Sequence, residues 1–365
     1  MLAIQINIME NDQRFLAADG RKYSGLERGD LSPKDFQDYT FVQLADTQLG
    51  MMTQMKEVQH LLYLRTLIKI FTLGFKDGKK EIPIPELSAI HRGQTGEDLF
   101  EIEVELSRQA VHCINKMSPK PVFAVICGDL VHAFPDKDPK KNAMEVEAFK
   151  NIYAKIDPSI RLVCLCGNHD VSEKPSAKEL GLWKERFGDD YFSFWVGSDK
   201  YIVLNSQMYK NDTNCKQEAE HQNEWLDKEL QQGQENRRFT AVFSHIPPFI
   251  NDPEESSGYF PLSKEVRLDI LARLAEGDVS HWFCGHYHRN AEGTFKSSNG
   301  KQIEVITSGA VGGNIETDPA GDVLGLSGMK SIKADASVSG LRIVSVSKKG
   351  ITHEFKTFES LMTEE

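Results

Sequence analysis

The hydrophobic residues in the middle of the chain occur in short continuous runs, and each run ends at a polar residue or at glycine. Six such runs lie at 39–45, 121–127, 160–166, 201–204, 239–244 and 280–284. Continuous apolar runs of this length are typical of strands buried on both faces. Helices are predicted where apolar residues recur every three or four positions, over 98–117, 144–156, 220–230 and 262–275. Alternating strands and helices predict an α/β fold with a largely parallel sheet.

The pattern changes towards both ends of the chain. After residue 300 we predict strands at 302–307, 341–347 and 352–358, with a Gly-, Ser- and Ala-rich loop over 309–338. Because no linker, repeat or low-complexity tract divides the chain, we expect one domain over residues 39–360. The polar segment 1–38 is expected to be a loosely attached arm.

Composition limits the function classes. The chain has 365 residues, 40% of them hydrophobic, which is enough for a sizeable core. Its net charge of -11, without a basic block, argues against nucleic acid or anionic lipid as a partner. The amphipathic segment 61–75 contains Arg65 and Lys69 and is shorter than the ~20 apolar residues of a spanning helix, so no stable membrane insertion is expected.

The N-terminal residues and the cysteines bear on location. Residues 1–12 lack the basic and apolar regions of a secretory signal. The six cysteines form no Cys-x-x-Cys pair and are expected to be reduced thiols, most of them buried in strands. We therefore expect a cytoplasmic location.

Five polar clusters follow the predicted strands, in the position where open α/β sheets bind ligands. They combine carboxylate, amide and imidazole groups, a mixture that suits zinc, iron or manganese better than calcium or magnesium alone. They offer too many ligands for one tetrahedral ion but enough for two ions that share a bridging carboxylate. The clusters are Asp46-x-Gln48, Gly128-Asp129, Gly167-Asn168-His169-Asp170, His245 and Gly285-His286-Tyr287-His288.

This series resembles the calcineurin-like metallophosphoesterases, whose pattern runs Asp-x-His, Gly-Asp, Gly-Asn-His-Asp/Glu, His and Gly-His-x-His. A closer similarity, over 98–310, is to a subgroup of animal calcineurin-like phosphoesterase domain-containing proteins described as serine/threonine phosphatases. It is carried by INKMSPKP (114–121), GDDYFSFWVG (188–197), VLNSQ (203–207) and GHYHRN (285–290). Relative to this subgroup, 49–97 looks like an insertion. The resemblance implies two packed mixed β-sheets flanked by helices, an α/β/β/α sandwich.

The resemblance also implies a role for each matching residue. It implies a dinuclear centre of divalent or trivalent ions (Mn, Fe, Zn or Mg), a general acid that protonates the leaving alkoxide, and a residue that orients this acid. The implied assignments are Asp46 and His288 for the first ion, Asp129 as the bridge, Asn168, His245 and His286 for the second ion, His169 as the acid and Asp170 as the residue that orients it.

Gln48 departs from the pattern, because the family usually has histidine there. Glutamine still offers a carbonyl oxygen, which is a harder and usually weaker ligand than imidazole. We therefore expect Gln48 to bind the first ion more weakly and to favour manganese or magnesium over zinc. Two further residues, Arg289 and His132, are candidates for substrate contacts, and salt bridging or ordinary packing is the alternative for each.

The leading functional hypothesis is hydrolysis of phosphomonoesters, with a phosphoprotein or a small phosphoester as the substrate. The same metal core also serves phosphodiesterases and nucleotide hydrolases. A scaffold that keeps the fold without the chemistry is a third alternative. That alternative predicts losses at His169 or at several ligands, whereas only Gln48 departs here.

Overall fold

A computed structural model describes residues 13–26, 37–51, 101–232, 237–316 and 333–363. The strands in these ranges are β1 (Ala18–Asp19), β2 (Lys22–Tyr23), β3 (Tyr39–Leu44), β4 (Phe123–Cys127), β5 (Arg161–Leu165), β6 (Phe192–Val196), β7 (Asp199–Val203), β8 (Phe239–Phe243), β9 (Val279–Cys284), β10 (Ala291–Lys296), β11 (Gln302–Thr307), β12 (Asn314–Glu316), β13 (Lys333–Asp335), β14 (Gly340–Ser347) and β15 (Gly350–Thr357). The helices are α1 (Glu101–Lys116), α2 (Pro139–Tyr153), α3 (Asn168–Val171), α4 (Ala177–Phe187), α5 (Ser206–Lys210), α6 (Lys216–Gln231), α7 (Lys264–Glu276) and α8 (Phe358–Thr363).

Two mixed sheets form the centre of the fold. One has the strand order β15-β14-β3-β4-β5, and the other has the order β1-β2-β6-β7-β8-β9-β11-β10. Strands β3, β4 and β5 are parallel to one another, as are β7, β8, β9 and β11. Antiparallel strands β14 and β15 extend the first sheet, and antiparallel β10 ends the second.

The core between the sheets is aromatic. Phe41 and Phe123 of the first sheet stack with their ring centroids 4.6 Å apart, and Tyr201, Phe243 and Phe283 of the second sheet meet them edge-on. Helices α1, α2 and α4 cover the outer face of the first sheet, and α6 and α7 cover the second. The predicted sandwich of two mixed sheets between helical layers is confirmed.

The predicted strands are found with boundaries that differ by at most two residues. These strands could be predicted because they are buried and therefore apolar; in β4, for example, every residue is buried. Helix α6 begins at Lys216 rather than at 220, and helix α2 begins at Pro139 rather than at 144. The Asp138 side chain accepts a hydrogen bond from the Lys141 amide and caps this earlier start. The loop predicted over 309–338 contains the short pair β12 and β13 at its ends.

The loose attachment expected for the arm is wrong for residues 13–26. Strand β2 pairs with β6, and the Tyr23 hydroxyl donates to the Leu162 carbonyl at 2.6 Å. Phe15, Ala18 and Leu26 are buried. Only a few side chains of this polar segment face the core, so its sequence shows no periodic apolar signal. Apart from residues 49–51, the expected insertion 49–97 and its helix lie outside the described residues, and the boundaries of the predicted domain stay a prediction.

Candidate metal centre

Backbone hydrogen bonds join the loops that follow the central strands. The Asp46 amide donates to Gly128, the Gln48 amide to Asp129, and the Gly285 amide to His245, at 2.9–3.1 Å. The loop after β3 is therefore tied to the loop after β4, and the loop after β9 to the loop after β8. The His286 amide joins the two pairs by donating to the Asp46 carboxylate at 2.9 Å.

Five of the seven candidate ligands occupy a strained backbone conformation. Their φ angles are positive: 51° at Asp46, 39° at Gln48, 50° at Asp129, 68° at His286 and 54° at His288. This left-handed region is uncommon for residues other than glycine, and such outliers gather at functional sites. The sharp turn at each strand end directs the side chains back towards the edge shared by the two sheets.

Three potential ligand atoms surround one ring nitrogen of His245. Its Nε2 lies 3.3 Å from Asp129 Oδ2, 3.1 Å from Asn168 Oδ1 and 3.1 Å from His286 Nδ1. All four residues are buried. In the described part of the chain, Asp129, His245 and His286 offer ligand atoms that all lie within 4.8 Å of one another.

A second pair lies beside this cluster. His288 Nε2 is 3.4 Å from Asp46 Oδ1, and the His286 amide donates to Asp46 Oδ2 at 2.9 Å. Both side chains are buried. The residues expected for the first ion and those expected for the second therefore form adjoining groups.

Carbonyl oxygens set the orientation of two of these imidazoles. His245 Nδ1 lies 2.8 Å from the Cys127 carbonyl, and His288 Nδ1 lies 2.7 Å from the Gly313 carbonyl. A carbonyl only accepts, so Nδ1 carries the proton in each ring. In the neutral rings, the Nε2 lone pairs then face the carboxylates, an arrangement that is unfavourable without a cation and typical of metal-binding histidines.

Buried atoms without partners support the same assignment. Among the described residues, His286 Nε2 and Gln48 Oε1 are buried and have no hydrogen-bond partner. A Cβ at Gly167 would lie 2.2 Å from Asp129 Oδ1, and one at Gly285 would lie 2.8 Å from Asp46 Oδ2. Glycine at these two positions leaves room for the carboxylates, so the residues present fit metal ions.

Without metal ions, only protons can balance the negative charge of the buried carboxylates, and the pKa shifts reflect this. Burial alone would raise the pKa of Asp129, but the imidazoles of His245 and His169 outweigh burial and hold this pKa well below its usual range. Burial disfavours the charged form of His245, yet Asp129 raises the pKa of His245 to about 9. Burial raises the pKa of Asp46 despite His288. The carboxylates therefore depend on positive charge from their surroundings.

Comparison with known proteins identifies the family. A family model described as calcineurin-like phosphoesterase matches residues 90–290. The chain belongs to the calcineurin-like phosphoesterase family. Serine/threonine-protein phosphatase CPPED1 of Bos taurus is 38% identical over 270 residues, which are 73% of this chain and 77% of that protein. The resemblance drawn from the sequence is confirmed, and with it the reaction class, hydrolysis of phosphoric esters.

Solved structures of low sequence identity share the fold. Purple acid phosphatase PPD1 from yellow lupin has a TM-score of 0.51 and 13% identity, over 88% of this chain and 52% of that chain. GAP50, described as the anchor in the inner membrane complex of Plasmodium, has a TM-score of 0.50 and 14% identity, over 88% of this chain and 85% of that chain. At this level of identity the likeness shows the architecture alone.

The expected general acid lies next to the cluster. His169 Nε2 is 3.9 Å from Asp129 Oδ2, and the His169 amide donates to Asp129 Oδ1 at 2.9 Å. The ring packs between His132, at a centroid distance of 4.8 Å, and Phe134, at 4.2 Å. Its Nε2 faces the candidate centre, as a proton donor to a leaving group there requires.

The role expected of Asp170 needs correction. The structure orients His169 through the carbonyl oxygen of His132, which lies 2.5 Å from Nδ1. The Asp170 carboxylate instead accepts hydrogen bonds from the amides of Leu130, at 3.1 and 3.2 Å, and Gly167, at 2.8 Å. Asp170 thus ties together the loops that carry Asp129 and Asn168. Burial, and then the neighbouring Asp129, raise the pKa of Asp170 to about 8.

The two candidate substrate residues have different neighbours. His132 stacks on His169, and burial together with the nearby His169 lowers the pKa of His132 to about 3. The Arg289 guanidinium lies 4.2 Å from the ring centroid of Tyr287. A substrate contact by either residue stays a prediction.

Sequence reasoning missed residues around Asn168. Glu173 accepts a hydrogen bond from Asn168 Nδ2 at 3.1 Å, and the Tyr259 hydroxyl lies 3.5 Å from the same Glu173 oxygen. The Tyr259 ring lies 5.2 Å from the ring of His286. Glu173 and Tyr259 are 86 residues apart and belong to no motif, so only the fold brings them together.

Proposed function

We propose that this chain is a serine/threonine protein phosphatase that uses two metal ions. The observation that carries the proposal is the convergence of a carboxylate, an amide oxygen and a second imidazole on Nε2 of His245. The Asp46 and His288 pair beside this cluster supports a second ion. We assign Asp46, Gln48 and His288 to the first ion, Asp129 to both, and Asn168, His245 and His286 to the second.

The chain's own groups can hold and protonate a phosphoester. Ions of this class supply hydroxide at neutral pH and stabilise both the entering and the leaving oxygen of an in-line displacement. His169 presents Nε2 towards the centre while the His132 carbonyl holds Nδ1. A protonated Nε2 would donate to the oxygen of a serine or threonine alkoxide, which is a poor leaving group.

The preference for phosphoprotein rests on similarity to the bovine protein, which is named a serine/threonine-protein phosphatase. A phosphodiester or nucleotide substrate would use the same core and differs in the room that it needs around the centre. A scaffold that keeps the fold without the chemistry is the other alternative. His169 and the ligand atoms that converge on His245 argue against it.

The deciding experiment measures hydrolysis of an aryl phosphate and of the matching aryl diester. Metal-stripped protein receives manganese, zinc, iron or magnesium, and Asp129→Asn protein runs alongside to expose a contaminating phosphatase. We expect monoester hydrolysis that returns with metal and is absent in the variant. Phosphopeptides carrying phosphoserine or phosphothreonine then test the protein substrate.

The other outcomes are equally informative. Preference for the diester would replace the phosphatase proposal with a phosphodiesterase. Failure to hydrolyse either substrate with every metal would favour the scaffold.

The described part of the chain contains no helix with the length and apolarity of a membrane span. The cytoplasmic location stays a prediction that cell fractionation would test.

A further inference from the structure

The side-chain amide of Asn168 has two chemically opposite ends. Its oxygen has lone pairs for a cation, while its nitrogen carries two hydrogens that a cation repels. The amide therefore serves as a ligand in only one of the two orientations related by a flip about its last bond. Oδ1 lies 3.1 Å from His245 Nε2, so the oxygen faces the candidate centre.

Glu173 determines this orientation. Its Oε1 lies 3.1 Å from Asn168 Nδ2. An ionised carboxylate only accepts hydrogen bonds, so it binds the nitrogen end of the amide and would repel the oxygen end. With the nitrogen fixed on Glu173, the oxygen of Asn168 is directed to His245 and the cluster.

Short helix α5 holds the surroundings of Glu173 in place. Gln207 Nε2 donates to the Glu173 carbonyl at 2.8 Å, and the Ser206 hydroxyl accepts from the Ile246 amide at 2.8 Å. The Lys210 ammonium donates to the carbonyls of Gly258, Tyr259 and Pro261 at 2.7–2.8 Å. One helix thus fixes the backbone at Glu173, beside His245 and at Tyr259.

Tyr259 completes the arrangement. Its hydroxyl lies 3.5 Å from Glu173 Oε1, the oxygen that accepts from Asn168. A tyrosine hydroxyl carries a proton that it can donate to a carboxylate. The hydroxyl therefore acts as a weak donor that limits the freedom of the carboxylate.

We propose that Glu173 is a positioning residue that holds the Asn168 amide with its oxygen towards the metal centre, and that Tyr259 and helix α5 keep Glu173 in place. The inference rests on the proposed function, because it presupposes that Asn168 binds an ion. Groups that orient metal ligands in this way typically contribute 10- to 100-fold in metal affinity, as an order of magnitude.

The test compares two substitutions at one position in the full-length chain. Glu173→Leu removes the acceptor and the charge. Glu173→Gln removes the charge and keeps a carbonyl oxygen that can accept from Asn168 Nδ2, but its amide nitrogen can also donate to Asn168 Oδ1, so it holds the orientation less firmly. Metal-stripped wild type and both variants are titrated with Mn²⁺ in competition with a chromogenic chelator, and thermal unfolding of the metal-free proteins checks that each variant folds.

We expect Glu173→Leu to lower the affinity of one of two Mn²⁺ ions by about 10- to 100-fold, and Glu173→Gln to give a smaller loss. Equal affinity in all three proteins would overturn the inference. Equal weakening in both variants would also overturn it, because charge rather than the hydrogen bond would then be responsible. Should Glu173→Leu fail to fold, Tyr259→Phe serves instead and is expected to give a smaller loss in the same direction, with unchanged affinity again overturning the inference.

Failure of the proposed function gives a different result. Wild-type protein that binds no Mn²⁺ would overturn both proposals together. Wild-type protein that binds two ions and hydrolyses the aryl phosphate, with Glu173→Leu binding equally well, would leave the phosphatase intact and remove only the role of Glu173.

Discussion

Two clusters of histidine and carboxylate side chains in this molecule have similar composition but differ in how their charge is balanced. One is the candidate metal centre with Asp129, His245 and His286. The other, which we call the Arg342 cluster, consists of Glu292, Glu304, His353 and Arg342 at the margin between the two sheets. In both clusters the carboxylate and imidazole ligand atoms lie within 4.8 Å of one another.

The Arg342 cluster contains its own cation. The Arg342 guanidinium donates to His353 Nδ1 at 2.8 Å and to Glu292 Oε1 at 3.3 Å, and His353 Nε2 lies 3.4 Å from Glu304 Oε1. Each acceptor in this chain of contacts faces a donor. In the candidate metal centre, Asp129 and Asp46 face the Nε2 atoms of His245 and His288, which are acceptors in the neutral rings, and in the described part of the chain neither carboxylate pairs with Lys or Arg.

The difference teaches that residue types alone do not identify a metal site. Both clusters would match a search for histidine and carboxylate at ligand spacing. The two clusters differ in their source of positive charge. The Arg342 cluster contains a permanent cation, whereas the carboxylates of the metal centre face imidazoles that are cationic only when protonated, so a metal ion can supply the missing charge. Burial adds to the contrast, since Glu292 is exposed and the three residues of the metal centre are buried.

A matched pair of histidine substitutions tests the comparison with the largest expected effect. His169→Gln removes the proposed proton donor to a poor leaving group, so we expect kcat for hydrolysis of a phosphoserine peptide to fall by ~10²–10⁴-fold. His353→Gln, in the Arg342 cluster, should leave kcat unchanged. Equal loss in the two variants, in steady-state assays with metal present, would contradict the distinction between the clusters.

Removing the resident cation tests the second cluster. Arg342→Met leaves the carboxylates and His353 without the buried guanidinium, and we expect the free energy of unfolding to fall by about 3 kcal/mol. Urea denaturation of the metal-free protein measures this change. Arg342→Lys keeps the charge without the planar fork and should lose less. A loss too small to detect for Arg342→Met would show that the cluster does not depend on its cation.

Glu145 represents a third solution, in which a proton balances a buried carboxyl group. Burial raises the pKa of Glu145 to about 7 in the folded protein, although its carboxylate accepts from the amides of His132 and Ala133. Between the ordinary pKa of 4.5 and about 7, the unfolded chain has released a proton that the native state still holds. Stability due to this group is therefore present at low pH and lost as pH rises through that window.

Glu145→Gln should remove that loss. Relative to wild type, we expect the variant to gain on the order of 2 kcal/mol in unfolding free energy between pH 5 and pH 8. Denaturant unfolding of both proteins at several pH values gives the difference and cancels the groups that they share. A difference that stays constant with pH would show that Glu145 titrates normally.

The smallest effect concerns the choice of ion. Gln48 Oε1 is buried and lacks a hydrogen-bond partner within the described residues, as expected for an oxygen that faces an ion. Replacing this oxygen with imidazole by Gln48→His should strengthen zinc binding several-fold relative to manganese. Competition titrations of the two metals in both proteins measure the ratio, and an unchanged ratio would rule out a role of Gln48 in metal preference.

Much of the fold was predictable because its central strands are buried on both faces. Strand β11 was found with its observed bounds, Gln302–Thr307. Strand β10 was missed because its residues alternate between half-buried and exposed and have weak apolar character. The packing of residues 13–26 was missed since few of its side chains reach the core. The sequence pattern also does not show which strands share a sheet.

The positions of the candidate ligands were predictable because each follows a strand, and their arrangement was not. The orienting partner of His169 is a backbone carbonyl, which has no sequence signal, so the motif alone misassigned Asp170. Glu173 and Tyr259 act at Asn168 from distant segments. Motifs therefore gave the residues near the centre, while the hydrogen bonds that orient them required the structure.

The positive φ angles of the candidate ligands have a consequence for evolution. A left-handed backbone at Gln48, His286 or His288 costs on the order of 1 kcal/mol or more, and glycine would remove this cost. In a descendant that is no longer selected for hydrolysis, replacing these residues with glycine would therefore increase the stability of the fold. Glycine or asparagine at these strand ends, with the aromatic core intact, is the expected sequence signature of a relative that has kept the fold and abandoned the chemistry.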